Sequence, residues 1–224
     1  MRLQTYVKNN GGYTKSEVMK LYHENRILVN ETIQNLSYNL KDSDIITIDN
    51  KVIEKKSFVY FLYNKPKGVI CTNDENVSGN IKKTIGFDIR IYPVGRLDKD
   101  THGLIILTND NKFTHYVLES KKIDKEYVVT LKEDVTNTIL ERLKESIIIN
   151  GKKTIPATIK KINERQVSIT LFEGKYHQVR ELVKRAGGIL VDLMRIRIGN
   201  ISLDNYNISE GSFMEINDDI IKNL

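Results

Sequence analysis

The chain has 224 residues, 40% hydrophobic and 29% charged, which suits a globular protein with one sizeable domain or a large and a small one. A single cysteine, Cys71, rules out an internal disulfide and a cysteine-based zinc cluster, and no apolar run approaches the length of a membrane span. The formal net charge of +6 suits a polyanion such as nucleic acid without identifying one. Met1-Arg2-Leu3-Gln4-Thr5 contains no signal-peptide core, so a cytoplasmic protein without membrane association is expected.

Leu3, Tyr6 and Val7 recur at helical spacing, and Gly11-Gly12 ends that helix. Thr14-Lys15-Ser16-Glu17 has the pattern of a capping box and opens a second helix with Val18, Leu21 and Tyr22 on one face. Arg26-Ile27-Leu28-Val29-Asn30-Glu31 reads as a short strand into a turn. Asp44 to Ile48 and Val52-Ile53 flank a turn at Asn50-Lys51 and read as a hairpin. Arg2, Lys8, Lys15, Lys20 and Arg26 make this segment basic around its helices. Such a cluster suits the phosphate backbone of folded RNA, although charge alone favours a solvated helix face. The polar stretch Glu54-Lys55-Lys56-Ser57-Phe58 marks a boundary, giving domains 1–56 and 57–224.

Phe58 to Tyr63 is a strongly β-forming run, broken by Asn64-Lys65-Pro66-Lys67-Gly68 and resumed by Val69 to Thr72. This predicts a hairpin with two cations near its tip. Cys71 lies in the apolar part and is expected in the core. Residues 73–90 are polar, with a short helix at Ile81 to Ile85. Next comes Pro93-Val94-Gly95-Arg96-Leu97-Asp98-Lys99-Asp100-Thr101-His102-Gly103-Leu104, leading into the apolar run Leu104 to Leu107. Arg96 and Asp98 would share a side of an extended segment, which allows an ion pair or a charged pocket. Spacing alone favours a polar turn feeding a buried strand.

Further on, helices are expected at Asn111 to Leu118, Thr138 to Ser146 and Tyr176 to Ala186, the last with Val179, Leu182, Val183 and Ala186 as its buried stripe. His177, Arg180 and Lys184 fall on another face of it. Strands are expected at Lys125 to Leu131, Ala157 to Ile162, Gln166 to Phe172 and Leu190 to Ile198, with shorter ones near Ile201 to Leu203 and Phe213 to Ile216. Strands outnumber helices and hairpin turns are frequent, so the fold class is α+β with a mainly antiparallel sheet.

No phosphate-binding Gly-rich loop with Lys-Thr is present, the four histidines lack partners at metal-ligand spacing, and no nucleophile elbow occurs. What remains is a lone carboxylate, Asp98, near Arg96, with Lys65, Lys125 and Arg180 as available cations and Tyr127 as an aromatic beside one. A single carboxylate without metal or second acid suits a covalent nucleophile on an electrophilic carbon. A neighbouring arginine favours its ionised form, and a tyrosine can stack on a planar base.

Gly95-Arg96-Leu97-Asp98-x-Asp100-Thr101-x-Gly103-Leu104 resembles the signature of the bacterial ribosomal pseudouridine synthases of the RsuA/RluB group. Asn64-Lys65-Pro66-x-Gly68 is similar to that family's first motif and Lys125-Glu126-Tyr127 to its Lys-x-Tyr strand. Glu173-Gly174-Lys175-Tyr176-His177-Gln178-Val179-Arg180 is similar to its third, followed by Leu193-x-Arg195-x-x-Ile198-Gly199. Residues 1–56 resemble the S4 RNA-binding domain of the αL type. Asn25 and Glu31 stand where that family has glycines, and Thr14-Lys15 where it has Ser-Arg.

The resemblance implies isomerisation of uridine to pseudouridine within ribosomal RNA, with no cofactor and no metal. It implies Asp98 as nucleophile or charge-stabilising carboxylate, Arg180 as its ion-pair partner and Tyr127 stacked under the uracil. Leu193 would pack the base's other side, and Arg96 would fill the gap left by the flipped nucleotide. Lys65, His177 and Gln178 would support the site or contact RNA, and Arg2, Lys15 and Arg26 would contact RNA from the first domain. The partner would be ribosomal RNA or a ribosomal-subunit assembly intermediate, and the protein a monomer. Compact length points to the small-subunit (16S) enzyme. A large-subunit (23S) relative and a non-catalytic RNA-binding assembly factor are the alternatives.

Overall fold

The computed structural model describes residues 1–55, 57–74, 76–86 and 91–224, with the side chains of Asp218 and Lys222 left aside. Lys56, at the expected domain boundary, and the end of the polar 73–90 stretch lie outside the described residues. Among the described residues two compact units are present, one within 1–58 and a larger one within 59–86 and 91–224.

The smaller unit begins with α1 (Leu3–Gly11), closed by Gly12 at φ 77°, and α2 (Lys15–His23). Thr14 caps α2 in a full capping box with Glu17, satisfying two amide donors that would otherwise face no acceptor. A three-stranded sheet follows, β1 (Ile27–Val29), β2 (Ile46–Ile48) and β3 (Lys51–Val52), in that order. Leu3, Val7, Val18, Leu21, Ile27, Val29, Ile46 and Ile48 form its core. The hairpin turn sits at Asp49-Asn50, one residue before the expected place. Both residues have positive φ, 52° and 62°, which the tight two-residue turn between β2 and β3 needs and short polar side chains tolerate.

The larger unit is built on a nine-stranded sheet, counted among the described residues. Its elements in chain order are β4 (Tyr60–Lys65), α3 (Ile81–Ile85), β5 (Tyr92–Val94), β6 (His102–Thr108), α4 (Asn111–Glu119), β7 (Lys125–Leu131) and α5 (Asn137–Leu143). The small hairpin β8 (Ile148–Ile149) and β9 (Lys152–Lys153) follows, then β10 (Thr158–Lys161), β11 (Gln166–Leu171), α6 (Gln178–Ala186), β12 (Leu190–Ile198), β13 (Ile201–Ser202), β14 (Phe213–Ile216) and α7 (Asp218–Lys222). The sheet runs β10-β11-β7-β12-β6-β4-β14, with β13 on β12 and β5 on β6. β12 and β6 are parallel and the other pairs are antiparallel, as the α+β reading expects.

β4 and the body of β6 are buried residue after residue, so they read as continuous apolar runs. One apolar cluster packs β7, β11 and β12 against α5 and α6; a second packs β4 and β6 against α4 and α7. No helix among the described residues is long and apolar enough to cross a membrane.

The expected hairpin around Lys65-Pro66-Lys67-Gly68 does not form. Both edges of β4 are taken, by β6 and by β14, so Val69 to Thr72 has no strand to pair with. Ile70 makes only an isolated parallel bridge to Asn80. Lys65 is accordingly not at a hairpin tip. Its side chain is fully buried, and its Nζ donates to the carbonyls of Pro66 at 2.9 Å and Val69 at 2.8 Å. Burial lowers the pKa of this ammonium, and the two carbonyls offset part of the desolvation cost. Lys65 is therefore a brace of the turn and has no surface to offer a phosphate, which corrects the expectation of an RNA contact.

The parallel junction of β6 and β12 is unusually close. Arg195 pairs with Gly103, which has φ 104°; a β-carbon there would lie 2.8 Å from the Arg195 nitrogen and nearer still to its oxygen. Only glycine satisfies both the φ and the contact. Gly103→Ala should therefore cost about 3 kcal/mol or more of stability, measurable by chemical or thermal denaturation.

Candidate active site

Asp98 sits in the loop Gly95–Thr101, between β5 and β6. The loop is held at several points. Leu97 is buried, Thr101 donates its amide to the Asp98 carbonyl at 3.1 Å, and the Gly68 amide donates to the Lys99 carbonyl at 2.7 Å. Arg195, 3% exposed, donates from Nε to the Leu104 carbonyl at 2.7 Å and from Nη2 to the Gly95 carbonyl at 3.1 Å. One guanidinium thus ties the first residue of the loop to the strand that follows it, its planar fork matching two carbonyls at once.

The Asp98 carboxylate is clamped on both oxygens. Arg180 Nε lies 3.2 Å from Oδ2, and His177 Nε2 lies 3.3 Å from Oδ1. Arg180 also donates from Nη2 to Thr101 Oγ1 at 3.0 Å and pairs with Asp100 Oδ1 at 2.9 Å. Arg180 reaches the loop from the first turn of α6. His177 is the residue before α6, in a left-handed conformation with φ 53°. That conformation is costly for a residue with a β-carbon, and here it accompanies a side chain turned onto Asp98. The pair first suggested by spacing, Arg96 with Asp98, is not the pair formed: Arg96 is exposed, and the partners of Asp98 come from 79 and 82 residues downstream.

A cleft of about 710 Å³ opens beside this clamp. Tyr127 of β7 and Leu193 of β12 line it, together with Arg96, Asp98, His177, Gln178 and Arg180. Tyr127 pairs with Arg195 and Val129 with Leu193 across the β7–β12 ladder, so strand alternation puts all four on one face. Seven of the residues singled out in the sequence therefore converge. Lys65 is interior, while Arg2, Lys15 and Arg26 belong to the smaller unit.

Two of the expected RNA contacts have other occupations. Gln178 is 3% exposed; its Oε1 accepts from the Lys175 amide and its Nε2 donates to Glu173, each at 3.0 Å, so it braces the loop before α6. Arg26 donates to Asp49 and Glu24, which neutralise it and raise its pKa further. Arg2 and Lys15 are exposed.

The sequence reading left Arg195 without a role. Its signal was the adjacency of a charged residue to apolar neighbours in a strand. Lys125, expected as an available cation and as the first residue of the Lys-x-Tyr strand, is interior. It is 5% exposed and donates to the carbonyls of Val117 at 3.1 Å and Ile123 at 2.7 Å. Cys71 also lines the cleft and is buried as expected, with burial pushing its thiol up.

Residues 59–184 match the family model described as RNA pseudouridylate synthase, and the chain belongs to that family. Ribosomal small subunit pseudouridine synthase A of Haemophilus influenzae is 30% identical over 231 aligned residues, covering 100% of this chain and 99% of the relative. The protein of the same name from Pasteurella multocida is 30% identical over 96% of each chain. A solved structure described as a pseudouridylate synthase superposes with a TM-score of 0.69 at 29% identity, covering 100% of this chain and 99% of that one.

Burial, followed by repulsion from Arg195, pulls the Lys125 ammonium down to about 8 from an ordinary 10.5. The unfolded chain then holds that proton more tightly than the folded one, so protonation disfavours folding below about pH 8. This penalty is relieved as pH rises from about 8 to 10.5. The stability of the wild type relative to Lys125→Met is expected to increase across that window, as read by urea denaturation at stepped pH.

Proposed function

We propose that this protein isomerises a uridine to pseudouridine in small-subunit ribosomal RNA, with Asp98 as the nucleophile. The carrying observation is the Asp98 carboxylate, held by Arg180 and His177, at the edge of a cleft lined by Tyr127 and Leu193. The small-subunit assignment is supported by relatives that bear that name and match along the whole chain.

The reaction breaks the N1–C1′ glycosidic bond, turns the uracil, and joins C5 to C1′. C5 loses a proton and N1 gains one, so no redox equivalent and no cofactor are required. Asp98 supplies the carboxylate that assists detachment of the base. Arg180 positions it, with Thr101 and Asp100 fixing the guanidinium in turn. His177 has the same positioning role on the other oxygen. Tyr127 packs against one face of the uracil and Leu193 against the other, a geometry supported by their places on adjacent strands. Arg96, exposed at the cleft, fills the space that the flipped nucleotide leaves. Extrusion of a base costs about a few kcal/mol, and such a filler offsets part of it.

Residues 1–56 serve as an S4-like RNA-docking domain in this reading. Asn25 and Glu31, which replace the family's glycines, have φ 56° and 65°, so the positions keep the left-handed backbone that glycine would supply. Lys15 and Arg2 present their charge to solvent there, and Arg26 helps hold the β1 entry turn through Asp49.

Asp98→Asn is expected to abolish pseudouridine formation while RNA affinity stays within about threefold, since the substitution removes a charge but keeps the shape. Pseudouridine formation at the wild-type rate would refute the nucleophile. Deleting residues 1–56 should weaken RNA binding by at least about tenfold while the larger unit, which has its own core, still melts cooperatively. Unchanged affinity would refute the docking role. Pseudouridine mapping in a strain lacking the gene should reveal one site missing from 16S RNA; a missing site in 23S RNA would overturn the small-subunit assignment.

A further inference from the structure

We propose that Tyr176 is a stacking platform for the RNA base adjoining the target uridine. This inference rests on the reading of the cleft as an RNA-modifying site and adds a nucleotide subsite beside it. Tyr176 lines the same cleft as Asp98 yet is 68% exposed. Its ring lies nearly parallel to that of His177, with centroids 3.8 Å apart and an interplanar angle of 18°. His177 covers one face of the tyrosine, and the exposure leaves the second face to solvent.

The loop that carries the ring is held before any ligand arrives. Lys175 donates from Nζ to the carbonyls of Lys152 at 3.1 Å and Lys153 at 2.8 Å, tying the loop to the β8–β9 hairpin. Gln178 and Glu173 brace the same loop from inside. An aromatic ring on so constrained a loop loses little freedom on binding, which is what a recognition platform requires. Exposed Lys99 and Arg96, which line the same cleft, add positive charge suited to a phosphate backbone.

Position selects the neighbour rather than the target. The imidazole of His177 touches both groups, its Nε2 at the Asp98 carboxylate and its face on Tyr176. Tyr176 therefore lies on the face of the imidazole and Asp98 at its edge, and in the proposed reading the target base is taken by Tyr127 and Leu193. When a nucleotide leaves its stack, each neighbour loses a stacking partner. An aromatic platform at this distance replaces that partner, and stacking accepts any base.

The test uses the full-length protein and a small-subunit RNA fragment carrying the mapped uridine, with 2-aminopurine placed at its 5′ or its 3′ neighbour. In the complex one of the two positions should be quenched by wild type and by Tyr176→Phe. In Tyr176→Ala the quenching should be lost and KM should rise by about tenfold, in the range expected for one stacked base. Tyr176→Phe should recover most of that affinity. An unchanged KM with unchanged fluorescence in Tyr176→Ala would overturn the platform, as would a fall in kcat alone, which would mark Tyr176 as mere packing for His177. Failure of wild type to isomerise the unlabelled fragment would instead overturn the proposed function itself, and the subsite with it.

Discussion

The contact on which the larger unit depends is the parallel junction of β6 and β12 at Gly103 and Arg195. Two antiparallel blocks meet there, β10-β11-β7-β12 on one side and β6-β4-β14 on the other. Because Gly103 has no side chain, the backbones close to a separation that any other residue would prevent. Close approach lets the Arg195 side chain reach both Leu104 and Gly95. A buried guanidinium is expensive to desolvate, so the carbonyls it meets have to be fixed in place; loss of either would leave a buried charge poorly paired. The loop that carries Asp98 is fixed at its Gly95 end by this arrangement.

The same logic recurs at the two buried lysines. Lys65 and Lys125 end or begin strands where carbonyls of adjoining turns point inward without a strand partner. An ammonium with three donors satisfies such carbonyls where an apolar side chain would leave them orphaned. Charge is thus used inside this protein as internal scaffolding, and only a part of its basic excess is available to a polyanion. Arg26, Lys65, Lys125 and Arg195 all have protein partners. Net charge alone is for that reason a poor guide to the RNA-facing surface.

The clamp on Asp98 divides labour between two kinds of constraint. Helix α6 delivers Arg180 from its first turn with ordinary backbone geometry, whereas His177 needs a left-handed backbone to turn its imidazole onto the other oxygen. Two contacts from one short segment reach both oxygens of the carboxylate, where one arginine contact reaches one. Thr101 and Asp100 hold the arginine from the other side, so the positions of loop and helix are mutually dependent.

Local elements were largely legible in the chain. The capping box at Thr14, the glycine stop after α1, the stripe of α6 and the strands around Tyr127 and Leu193 all follow from short-range periodicity and backbone chemistry. So did the candidate carboxylate, since Asp98 has few chemical competitors and sits in a motif that orders it with Tyr127 and Arg180. What local reading could not supply is pairing. It expected a hairpin at Lys65 because two β-forming runs flank a turn, but the edges of β4 belong to β6 and β14, which arrive from far along the chain. It could not separate Lys65 and Gln178, both interior, from Arg96, which is exposed, because burial is set by neighbours distant in sequence. The sequence by itself determined most of the helices and strands and singled out side chains that gather at the cleft, because those follow from spacing, residue type and the motifs they form. Only the tertiary structure decided that His177 joins Arg180 on the Asp98 carboxylate and that Arg195 holds the loop, because both depend on strand pairing and on contacts across 79 to 100 residues.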